Sequence, residues 1–474
     1  MNNMTRKEFM GALAAAGAMA GCVGPQGASG GGKRWRRGML HMHTHWSDGH
    51  ALPEQAVAAY KDAGYDFVAI TDHNRFQDDP DRWIAVGDGT EKGWPPKVVH
   101  PARLRTYVER FGNGRVRERD GKTEIHLATY RELKKMFDEK GRFLLLPGVE
   151  LTTDAKATGQ TFAMHMNVIG TDDIIERAKK APLIEKLANH TVASAIRESR
   201  EMSEALAAKR VAKRGKKRSA QPVICMVNHP HWLYFDVYAQ DFIDNPEIRY
   251  FEICNNGAVR PAPEGLDGEW YNDNLWDAVL VYRASHGQQP LYGFGSDDKH
   301  FYPGTGLDKP PMFGDGYVMV RSEELSWKSL YDAMRRGDFY ASSELDLEDV
   351  TFDRATMTLS VSVPAMAGVA SKIRFIVTKK GAPLDPVRRV EIPAAKEHMN
   401  RVRSVPVYDG RVGETVKLVD GAPGAPLKAS YTLADDDLYV RARVETDAPT
   451  QILPLNCMHP SHRTAWTQPY SREW

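Results

Sequence analysis

The stretch LHMHTHWSDGH, from Leu40 to His50, places four histidines and one aspartate within eleven residues. Its first two histidines, His41 and His43, lie in the apolar run Gly38–His43, which has the composition of a short β-strand. Side chains two residues apart on a strand share one face, so both imidazoles can meet one ion. Two nearby histidines also often face solvent, so the interpretation depends on the rest of the chain.

Histidines and carboxylates also lie at or near the ends of other predicted strands. The five further stretches are Phe67–His73, Leu144–Glu150, Met164–Ile169, Ile224–His229 and Tyr292–His300. A single histidine or carboxylate near a strand end is more often a hydrogen-bonded residue at the edge of the barrel. Such residues near the ends of six strands instead favour a shared metal site at the carboxyl edge of a β/α barrel. Nitrogen and oxygen ligands without thiolate suit Zn, Mn or Fe. More than four ligands indicate more than one ion.

Short apolar runs alternate with helix-like stretches along the first two thirds of the chain. The predicted strands are Gly38–His43, Asp66–Ile70, Phe143–Val149, Phe162–Ile169, Val223–Val227, Tyr250–Ile253 and Pro290–Gly295. The predicted helices include Pro53–Ala63, Ile184–Leu206 and Leu325–Arg336. This alternation predicts an α/β fold with parallel strands, and seven strands suggest a barrel or near-barrel.

The pattern changes beyond about Leu345. Predicted strands at Met357–Val363, Lys372–Thr378, Val390–Ile392 and Leu438–Val444 are separated by Gly, Pro and Asp. Such short alternating strands predict a C-terminal all-β module, built as a small sandwich. We therefore expect domains at residues 34–345 and 346–474.

Composition restricts the function. The chain has 474 residues, 42% of them hydrophobic, and a formal net charge of +1, which indicates a globular protein and no nucleic-acid partner. The basic stretch Lys209–Arg218 is interpreted as a solvated helix end, with attraction of anions as the alternative. Four cysteines are too few for a disulfide framework and lack zinc-ribbon spacing. Cys225 and Cys254, inside apolar runs, are predicted core thiols.

The first residues have the composition of a targeting segment. A short cationic start precedes the small apolar run Met10–Gly21, and Met19–Cys22 resembles the bacterial lipobox. Val23–Gly32 is rich in glycine, typical of a flexible tether. We expect residues 1–33 to be signal peptide, lipobox and tether, and the protein to be exported and attached to an envelope membrane through lipidated Cys22. A plain cleaved signal is the alternative.

Six motifs together resemble the PHP superfamily, named for polymerase and histidinol phosphatase domains. They are His41-Met-His43 with Asp48-Gly49, Thr71-Asp72-His73-Asn74, Pro147-Gly-Val-Glu150, His165-Met-Asn, Asn228-His229-Pro230 and Asp297-Asp298-Lys-His300. The resemblance implies a distorted seven-stranded (β/α) barrel with two or three divalent ions at its rim. Arg336-Gly-Asp-Phe-Tyr340 and Ala465-Trp-Thr-Gln-Pro469 resemble, less specifically, the exported or lipidated carbaryl-hydrolase-like branch.

The resemblance also implies a ligand set. The first metal position has His41, His43, Glu150 and Asp298; the second has Glu150, His165 and His229; the third has Asp48, His73 and His300. Asp72, Glu150 and His300 are the expected catalytic residues, with Asp72 behind the ligands, where it orients a histidine or moves a proton. His45, His50 and His231 stay unassigned.

The expected activity is that of a metal-dependent hydrolase in which a metal-bridged hydroxide attacks a small-molecule ester. Hydrolysis of a phosphomonoester or a phosphodiester is the reaction that we expect first. Family phosphomonoesterases often carry an arginine soon after the His-Pro motif, and here none follows His229-Pro230 before Arg249. Hydrolysis of a carboxyl ester, amide or carbamate is therefore the alternative, and a catalytically silent binding lipoprotein is the alternative of another class.

Two further stretches have open interpretations. Asn255 and Asn256 either hydrogen-bond substrate or form a strand-to-helix turn. The long insertion Phe76–Arg142 either forms a lid that sets specificity or packs on the side of the barrel.

Overall fold

The computed structural model describes residues 32–88, 98–157, 160–170, 200–201, 222–230, 237–257, 264–303, 314–392, 404–451 and 460–474, with side chains described for all except 153–163. Lys33–Trp474 forms one compact unit. Cys22 and the rest of the targeting segment to residue 31, the basic stretch Lys209–Arg218 and His231 lie outside the described residues, as does nearly all of the predicted helix Ile184–Leu206. Within the described part of the chain, no helix combines the length and apolar character needed to cross a membrane.

The described strands fall into two stretches of the chain. The first holds β1 (Arg34–Met39), β2 (Phe67–Ile70), β3 (Trp83–Val86), β4 (Val98–Val99), β5 (Val116–Arg119), β6 (Lys122–His126), β7 (Leu144–Ala157), β8 (Gln160–Ile169), β9 (Ile224–Val227), β10 (Tyr250–Asn255), β11 (Tyr292–Ser296), β12 (Gly316–Ser322) and β13 (Phe339–Ser343). The second holds β14 (Asp349–Asp353), β15 (Thr358–Val363), β16 (Ser371–Lys379), β17 (Arg388–Glu391), β18 (Ser404–Val407), β19 (Glu414–Asp420), β20 (Leu427–Thr432), β21 (Asp437–Pro449) and β22 (His462–Thr467).

The described helices all precede β14. They are α1 (Pro53–Asp62), α2 (Pro101–Phe111), α3 (Tyr130–Phe137), α4 (Ala239–Asp244), α5 (Tyr271–Ser285) and α6 (Trp327–Arg335), with a 3₁₀ turn at Gly268–Trp270. α1 and α6 confirm the predicted helices Pro53–Ala63 and Leu325–Arg336 to within two residues at each end.

One large sheet has the strand order β11-β10-β9-β8-β7-β2-β1-β12-β13-β22-β21-β16-β19. β1, β2 and β7 are parallel, and so are β9, β10 and β11. In contrast, β8 is antiparallel to both β7 and β9, and β12 is antiparallel to β1. The prediction of parallel strands is therefore confirmed for β1, β2, β7, β9, β10 and β11 and is wrong for β8. Only two residues separate β7 from β8, which suffices for a hairpin and is too short for a parallel crossover.

The sheet curls back on itself at its β11 end. In the described residues β11 pairs with β10 alone, yet a Cβ placed on Gly295 would lie 2.5 Å from the backbone oxygen of Tyr317. β11 therefore lies directly against β12 without a ladder of hydrogen bonds, and Gly295 is the residue type that permits this approach. The fold is mixed α/β, and the closed seven-stranded barrel stays a prediction.

The region from β14 onwards is all-β, as predicted. The three-stranded sheet β14-β15-β20 packs against β16 and β21, and buried Val361, Phe375 and Val440 belong to their shared core. β15, β16, β17 and β21 lie where strands were predicted. β22 was not predicted: it pairs with both β13 and β21, so the large sheet continues from the α/β region into the all-β region. The expected boundary between residues 345 and 346 stays a prediction.

A buried ion-pair network joins α5 to β21. Arg441 donates to Asp273 at 2.7 Å and to Asp277 at 2.8 Å, and Arg443 donates to Asp273 at 2.9 Å. All four side chains are buried. Because each guanidinium meets at least one carboxylate, burial of these charges is compensated. We call these four residues the α5–β21 network.

The insertion Phe76–Arg142 forms a small sheet, β4-β3-β6-β5, with α2 and α3. Its apolar side chains share a core with Trp46 and Leu52, and the Trp46 indole donates to the carbonyl of Ala128 at 2.9 Å. The Tyr107 hydroxyl on α2 donates to Glu54 on α1 at 2.9 Å. The insertion thus packs beside the stretch Leu40–His50, and each of its two predicted roles stays a prediction.

Candidate metal centre

The first histidine pair lies beyond β1, not within it. β1 ends at Met39, and Met42 forms a single parallel bridge with Lys299. The predicted strand Gly38–His43 is therefore placed too late, because pairing with β2 involves only Gly38 and Met39. His41 and His43 are fully buried, and their Nε2 atoms lie 3.2 Å apart. Both rings point into the same space.

Glu150 on β7 lies at the centre of the histidines. Its Oε2 is 3.3 Å from His41 Nε2, 3.2 Å from His43 Nε2 and 3.0 Å from His73 Nδ1. Its Oε1 is 3.0 Å from His165 Nδ1 and 3.6 Å from His229 Nε2. One carboxylate thus touches five imidazoles, which is the geometry expected of a bridging ligand.

Two aspartates complete the cluster. Asp298 Oδ1 lies 3.2 Å from His41 Nε2 and 3.0 Å from His43 Nε2. Asp48 Oδ2 lies 3.2 Å from His73 Nε2 and 3.2 Å from His300 Nε2. All nine residues that the sequence singled out as metal ligands therefore meet in one place.

Three subsets of donor atoms are close enough to hold an ion, with all ligand atoms within 4.8 Å of one another. They are His43, Asp48, His73 and His300; His41, His43 and Asp298; and His73, Glu150 and His165. These subsets correspond broadly to the three expected positions. They differ in three ways: the first subset lacks Glu150, His73 takes the place of His229 in the second, and His43 joins the third. The assignment of each ligand to one ion stays a prediction.

The backbone is strained at the cluster. His229 has a φ of 22° and Asp298 a φ of 47°, and Asn74, next to His73, has a φ of 48°. Non-glycine residues in this region cost about 1–3 kcal/mol each and concentrate at functional sites. Strain at three positions beside ligands indicates that the surrounding packing holds the donors in place.

Charge in the cluster shifts the pKa values of its members. Burial disfavours charge on His41, but Asp298, Glu150 and Glu252 outweigh it and raise the pKa of His41 well above its usual value. For His43 burial is outweighed by Asp48 and the other carboxylates, and the pKa rises to about 9. Burial lowers the pKa of His165 to about 4, despite Glu150. The neighbouring imidazoles, against the effect of burial, hold the pKa of Glu150 well below its usual range.

Glu252 on β10 is a member of the site that sequence reasoning missed. It is fully buried and accepts hydrogen bonds from His41 Nδ1 at 2.7 Å, the His229 amide at 2.7 Å and Ser296 Oγ at 2.6 Å. A carboxylate behind a ligand histidine fixes its tautomer and orientation. The available signal was an acidic residue inside the apolar strand YFEIC, because buried carboxylates need partners.

Asp72 lies next to the ligand cluster, as expected, but its hydrogen bonds go to the loop that carries Thr44 and Ser47 and to Gln77. It accepts hydrogen bonds from the Thr44 amide at 2.7 Å, Ser47 Oγ at 2.7 Å and Gln77 Nε2 at 2.8 Å. None of its hydrogen bonds in the described residues comes from a histidine. Asp72 thereby fixes the turn that presents Asp48, and its role in proton transfer stays a prediction.

Asn255 turns towards the cluster and Asn256 turns away from it. Asn255 Nδ2 lies 2.7 Å from Glu252 Oε2 and 3.3 Å from Asp298 Oδ2. Asn256 Nδ2 lies 3.4 Å from Ser343 Oγ. Asn255 is therefore placed to orient carboxylates of the cluster, which neither of its two predicted interpretations included.

The donor set fits divalent cations. Glu150 Oε2 is buried and has no hydrogen-bond partner, although three imidazole nitrogens lie within 3.3 Å. The Nε2 atoms of His41 and His43 lie 3.2 Å apart, and both face Glu150 Oε2 and Asp298 Oδ1. Such buried atoms need a partner, and a cation between nitrogen and oxygen ligands provides one.

Comparison with known proteins gives weak matches. No protein-family model matches the chain, and no curated protein matches it. A two-domain protein from Bacteroides vulgatus that contains a predicted PHP-like metal-dependent phosphoesterase is 14% identical, over 93% of this chain and 95% of that one, with a TM-score of 0.39.

Two shorter solved structures match the chain less well. A candidate metal-dependent phosphoesterase from Bifidobacterium adolescentis is 16% identical, over 59% of this chain and 91% of that one, with a TM-score of 0.25. An amidohydrolase from Chromobacterium violaceum with bound sulfate is 14% identical, over 58% of this chain and 92% of that one, with a TM-score of 0.24. Because all three TM-scores are below 0.5, the functional conclusions rest on the residues of the chain itself.

Proposed function

We propose that this protein is a metal-dependent hydrolase of the PHP type, with phosphoester hydrolysis as its reaction. The observation that supports the proposal is the convergence of nine histidine and carboxylate side chains, with buried Glu150 among the other eight and its Oε2 without a hydrogen-bond partner. Residues from β7, β8 and the ends of β1, β2, β9 and β11 contribute to this convergence. Chance placement of surface histidines does not produce it.

The ligands would hold two or three divalent ions, with Zn, Mn and Fe as the candidates. His41, His43 and Asp298 would hold one, Glu150, His165 and His229 another, and Asp48, His73 and His300 a third, with Glu150 shared between the first two. When bound, such ions supply a nucleophile by acidifying water and neutralise charge that develops on the substrate oxygen. The donor set alone favours hydrolysis of an ester more strongly than it favours one particular ester.

The residues of the chain would contribute orientation and access. Glu252 holds His41 by its Nδ1, so that Nε2 faces the cluster. The backbone oxygen of Asp298, 2.9 Å from His300 Nδ1, directs His300 Nε2 towards Asp48 in the same way. His73 and His300 have side chains 18% and 21% exposed, whereas His41 and His43 have none of their surface exposed. Substrate would therefore approach from the side of His73 and His300.

Export and attachment to an envelope membrane through Cys22 form part of the same proposal. They are supported by the sequence pattern of the first 33 residues. Replacement of Cys22 by Ser, followed by fractionation of cells, tests them: we expect the protein to move from the membrane fraction to the soluble envelope fraction.

Metal reconstitution with parallel assays tests the function. The purified protein is stripped with a chelator, reloaded with Mn²⁺, Zn²⁺ or Fe²⁺, and assayed with p-nitrophenyl phosphate, bis-p-nitrophenyl phosphate and p-nitrophenyl acetate. We expect about two or three ions per chain and metal-dependent release of p-nitrophenol from at least one phosphoester. Turnover of the acetate alone would support carbonyl-ester hydrolysis instead. Fewer than about two ions and no turnover would support a binding protein without catalysis.

A further inference from the structure

β11 is the ligand-bearing strand at the end of the large sheet. In the described residues β1, β2, β7, β8 and β9, which carry or precede the other ligands, each lie between two neighbouring strands, whereas β11 pairs with β10 alone. Asp298 and His300 follow β11 directly. A strand that is paired on one side leaves backbone groups on its other edge in need of partners. Something other than a strand must therefore hold the second edge of β11.

A side chain of the all-β region holds that second edge. Gln468, which directly follows β22, is fully buried. Its Oε1 accepts a hydrogen bond from the backbone N–H of Gly293 at 2.9 Å, and its Nε2 donates to the backbone carbonyl of Gly293 at 2.8 Å. A glutamine amide carries an acceptor and a donor side by side, as a strand of backbone does. Gln468 thus takes the place of a neighbouring strand at this point of β11.

The two hydrogen bonds of Gln468 lie on the edge of β11 that faces away from β10. The N–H of Tyr292 donates to the carbonyl of Arg249, just before β10, at 2.7 Å. Backbone groups of successive residues in a strand point to opposite edges, so those of Gly293 face away from β10. Beyond β11, Asp297 accepts from the amide of Gly316 on β12 at 3.0 Å. The strand is therefore held by Gln468 near its start and by β12 after its end.

The residues before Gln468 bind other elements and fix its position. Trp466 Nε1 donates to Asp273 on α5 at 3.2 Å, and Thr467 Oγ1 accepts from the amide of Ala442 on β21 at 2.8 Å. Trp466 and Thr467 are both buried. Because these contacts hold the segment, Gln468 meets β11 from a rigid support.

β11 positions several parts of the metal centre. Ser296, its last residue, donates to Glu252 at 2.6 Å, and Glu252 in turn accepts from His41 Nδ1. Asp298 follows two residues later, and its Oδ1 lies 3.2 Å from His41 Nε2. His300 comes after Asp298 on the same segment. A displacement of β11 would therefore move two ligands and the support of a third.

We propose that Gln468 is a positioning residue of the metal centre, which fixes the places of Asp298 and His300 by closing the edge of β11. The proposal rests on the proposed function, because it requires the ligand cluster to hold metal. It gives the all-β region a role in the site, although none of the nine ligands belongs to that region. The ion held by ligands from β7, β8 and β9 depends less on Gln468, because each of these strands has two neighbours.

Stepwise metal titration of a Gln468 variant tests the proposal. Gln468→Met keeps the length of the side chain and removes both hydrogen bonds to Gly293. Co²⁺, which takes nitrogen and oxygen ligands and absorbs visible light when bound, is added to the metal-free, full-length protein and followed by calorimetry and absorption. At least one binding step should weaken about 10-fold, the lower end of the range for residues that orient a ligand, while another stays unchanged. No weakened step, or an equal loss at every step, would overturn the proposal.

The adjacent residue provides a matched control. Thr467→Val keeps the shape of a buried side chain and removes its hydrogen bond from the Ala442 amide, which lies on no ligand-bearing strand. It should lower stability but leave every Co²⁺ step unchanged. Arg110→Met, which breaks the exposed pair of Arg110 with Asp62 at 2.7 Å, should change neither. Loss of the same Co²⁺ step in Thr467→Val as in Gln468→Met would show that lower stability explains the effect and would overturn the proposal.

Hydrogen exchange of the natural protein tests the same coupling without a substitution. If Gln468 couples its segment to the metal centre, removal of metal must loosen that segment in turn, because coupling between two sites is reciprocal. Amide protection of peptides that cover residues 465–470 should fall after chelation by more than that of peptides from β14 and β15. If Gln468→Met does not fold, this comparison decides the question, and equal changes in both sets of peptides would overturn the proposal.

Metal binding and turnover together separate this proposal from the proposed function. A weakened Co²⁺ step in Gln468→Met, with no ester hydrolysed by the natural chain, would support the positioning role and overturn the hydrolase proposal. Identical Co²⁺ binding by both proteins, with turnover by the natural chain, would overturn the positioning role and support hydrolysis. A natural chain that binds no metal would overturn both.

Discussion

The α5–β21 network and the metal centre are both buried and rich in charge, but their internal pairing differs. In the network Arg441 and Arg443 each donate to a carboxylate within 2.9 Å. In the metal centre the Nε2 atoms of His41 and His43 face each other at 3.2 Å. In the network each guanidinium meets a carboxylate directly, whereas in the metal centre a cation between the facing imidazole nitrogens and Glu150 would give them a shared partner. Pairing, more than burial or charge, therefore separates a structural cluster from a candidate binding site.

The backbone shows the same contrast. His229 and Asp298 in the metal centre have positive φ values, and none of the four network residues does. The strained conformations aim ligand side chains at a common point, while the network residues lie on a regular helix and a regular strand. Positive φ values therefore accompany the convergence of the candidate ligands, whereas the network joins α5 to β21 without them.

The largest effect on stability is expected at the network. Arg441→Met leaves Asp273 and Asp277 buried with one cation fewer, which should lower the free energy of unfolding by about 3–5 kcal/mol. Denaturant titration followed by circular dichroism measures this change. The matched control is Arg110→Met, which breaks an exposed pair and should cost about 0–1 kcal/mol.

The metal content of Arg441→Met sharpens the comparison. Per folded chain it should equal that of the natural protein, because no network residue touches the ligand cluster. Loss of metal together with stability would show that the two clusters are coupled and would break the contrast drawn here.

The next largest effect, on metal content and hydrolysis, is expected for substitution of Glu150. Glu150→Gln removes the charge that five imidazoles share, so metal content should fall and hydrolysis should drop by more than about 100-fold, beyond the range for residues behind a ligand. Elemental analysis and steady-state kinetics measure both. Glu54→Gln is the matched control: Glu54 is also buried but pairs with Arg115 at 3.1 Å, away from the ligands. Unchanged metal content in Glu150→Gln would contradict the bridging role.

A smaller effect, on metal affinity, is expected for substitution of Glu252. Glu252→Gln keeps the shape of the side chain but weakens its hold on His41 Nδ1, so metal affinity should fall about 10- to 100-fold with the fold intact. Competition with a fluorescent chelator measures the affinity. If Glu252→Gln lowered stability as much as Arg441→Met without changing metal affinity, Glu252 would belong with the structural charges.

The site was predictable from sequence because its ligands belong to short motifs. His41 and His43, Asp72 and His73, and Asp298 and His300 each lie within three residues of one another after an apolar run. Strand ends that meet at one edge then bring these motifs together. Glu252 lacked such a motif, because its partners His41 and Ser296 are distant in sequence.

Strand direction was the main error in the predicted fold. The run Phe162–Ile169 correctly indicated a strand, but apolar composition carries no information on whether the strand runs parallel or antiparallel to its neighbour. The two-residue connection between β7 and β8 does indicate an antiparallel hairpin. The prediction gave more weight to the alternation of strands and helices elsewhere in the chain, which favours parallel strands. The α5–β21 network and the pairing of β22 depend on contacts between distant parts of the chain, which local patterns do not encode.

The position of β22 between β13 and β21 has a consequence for biosynthesis. A ribosome delivers β13 long before β22, and β21 also emerges before the strand that will separate it from β13. The α/β region and the all-β region can each begin to collapse as they emerge, but their common sheet is joined only when β22 is made. Until then the edges of β13 and β21 are open to wrong partners, so chaperone binding during translation should concentrate on nascent chains that have completed β21 and still lack β22.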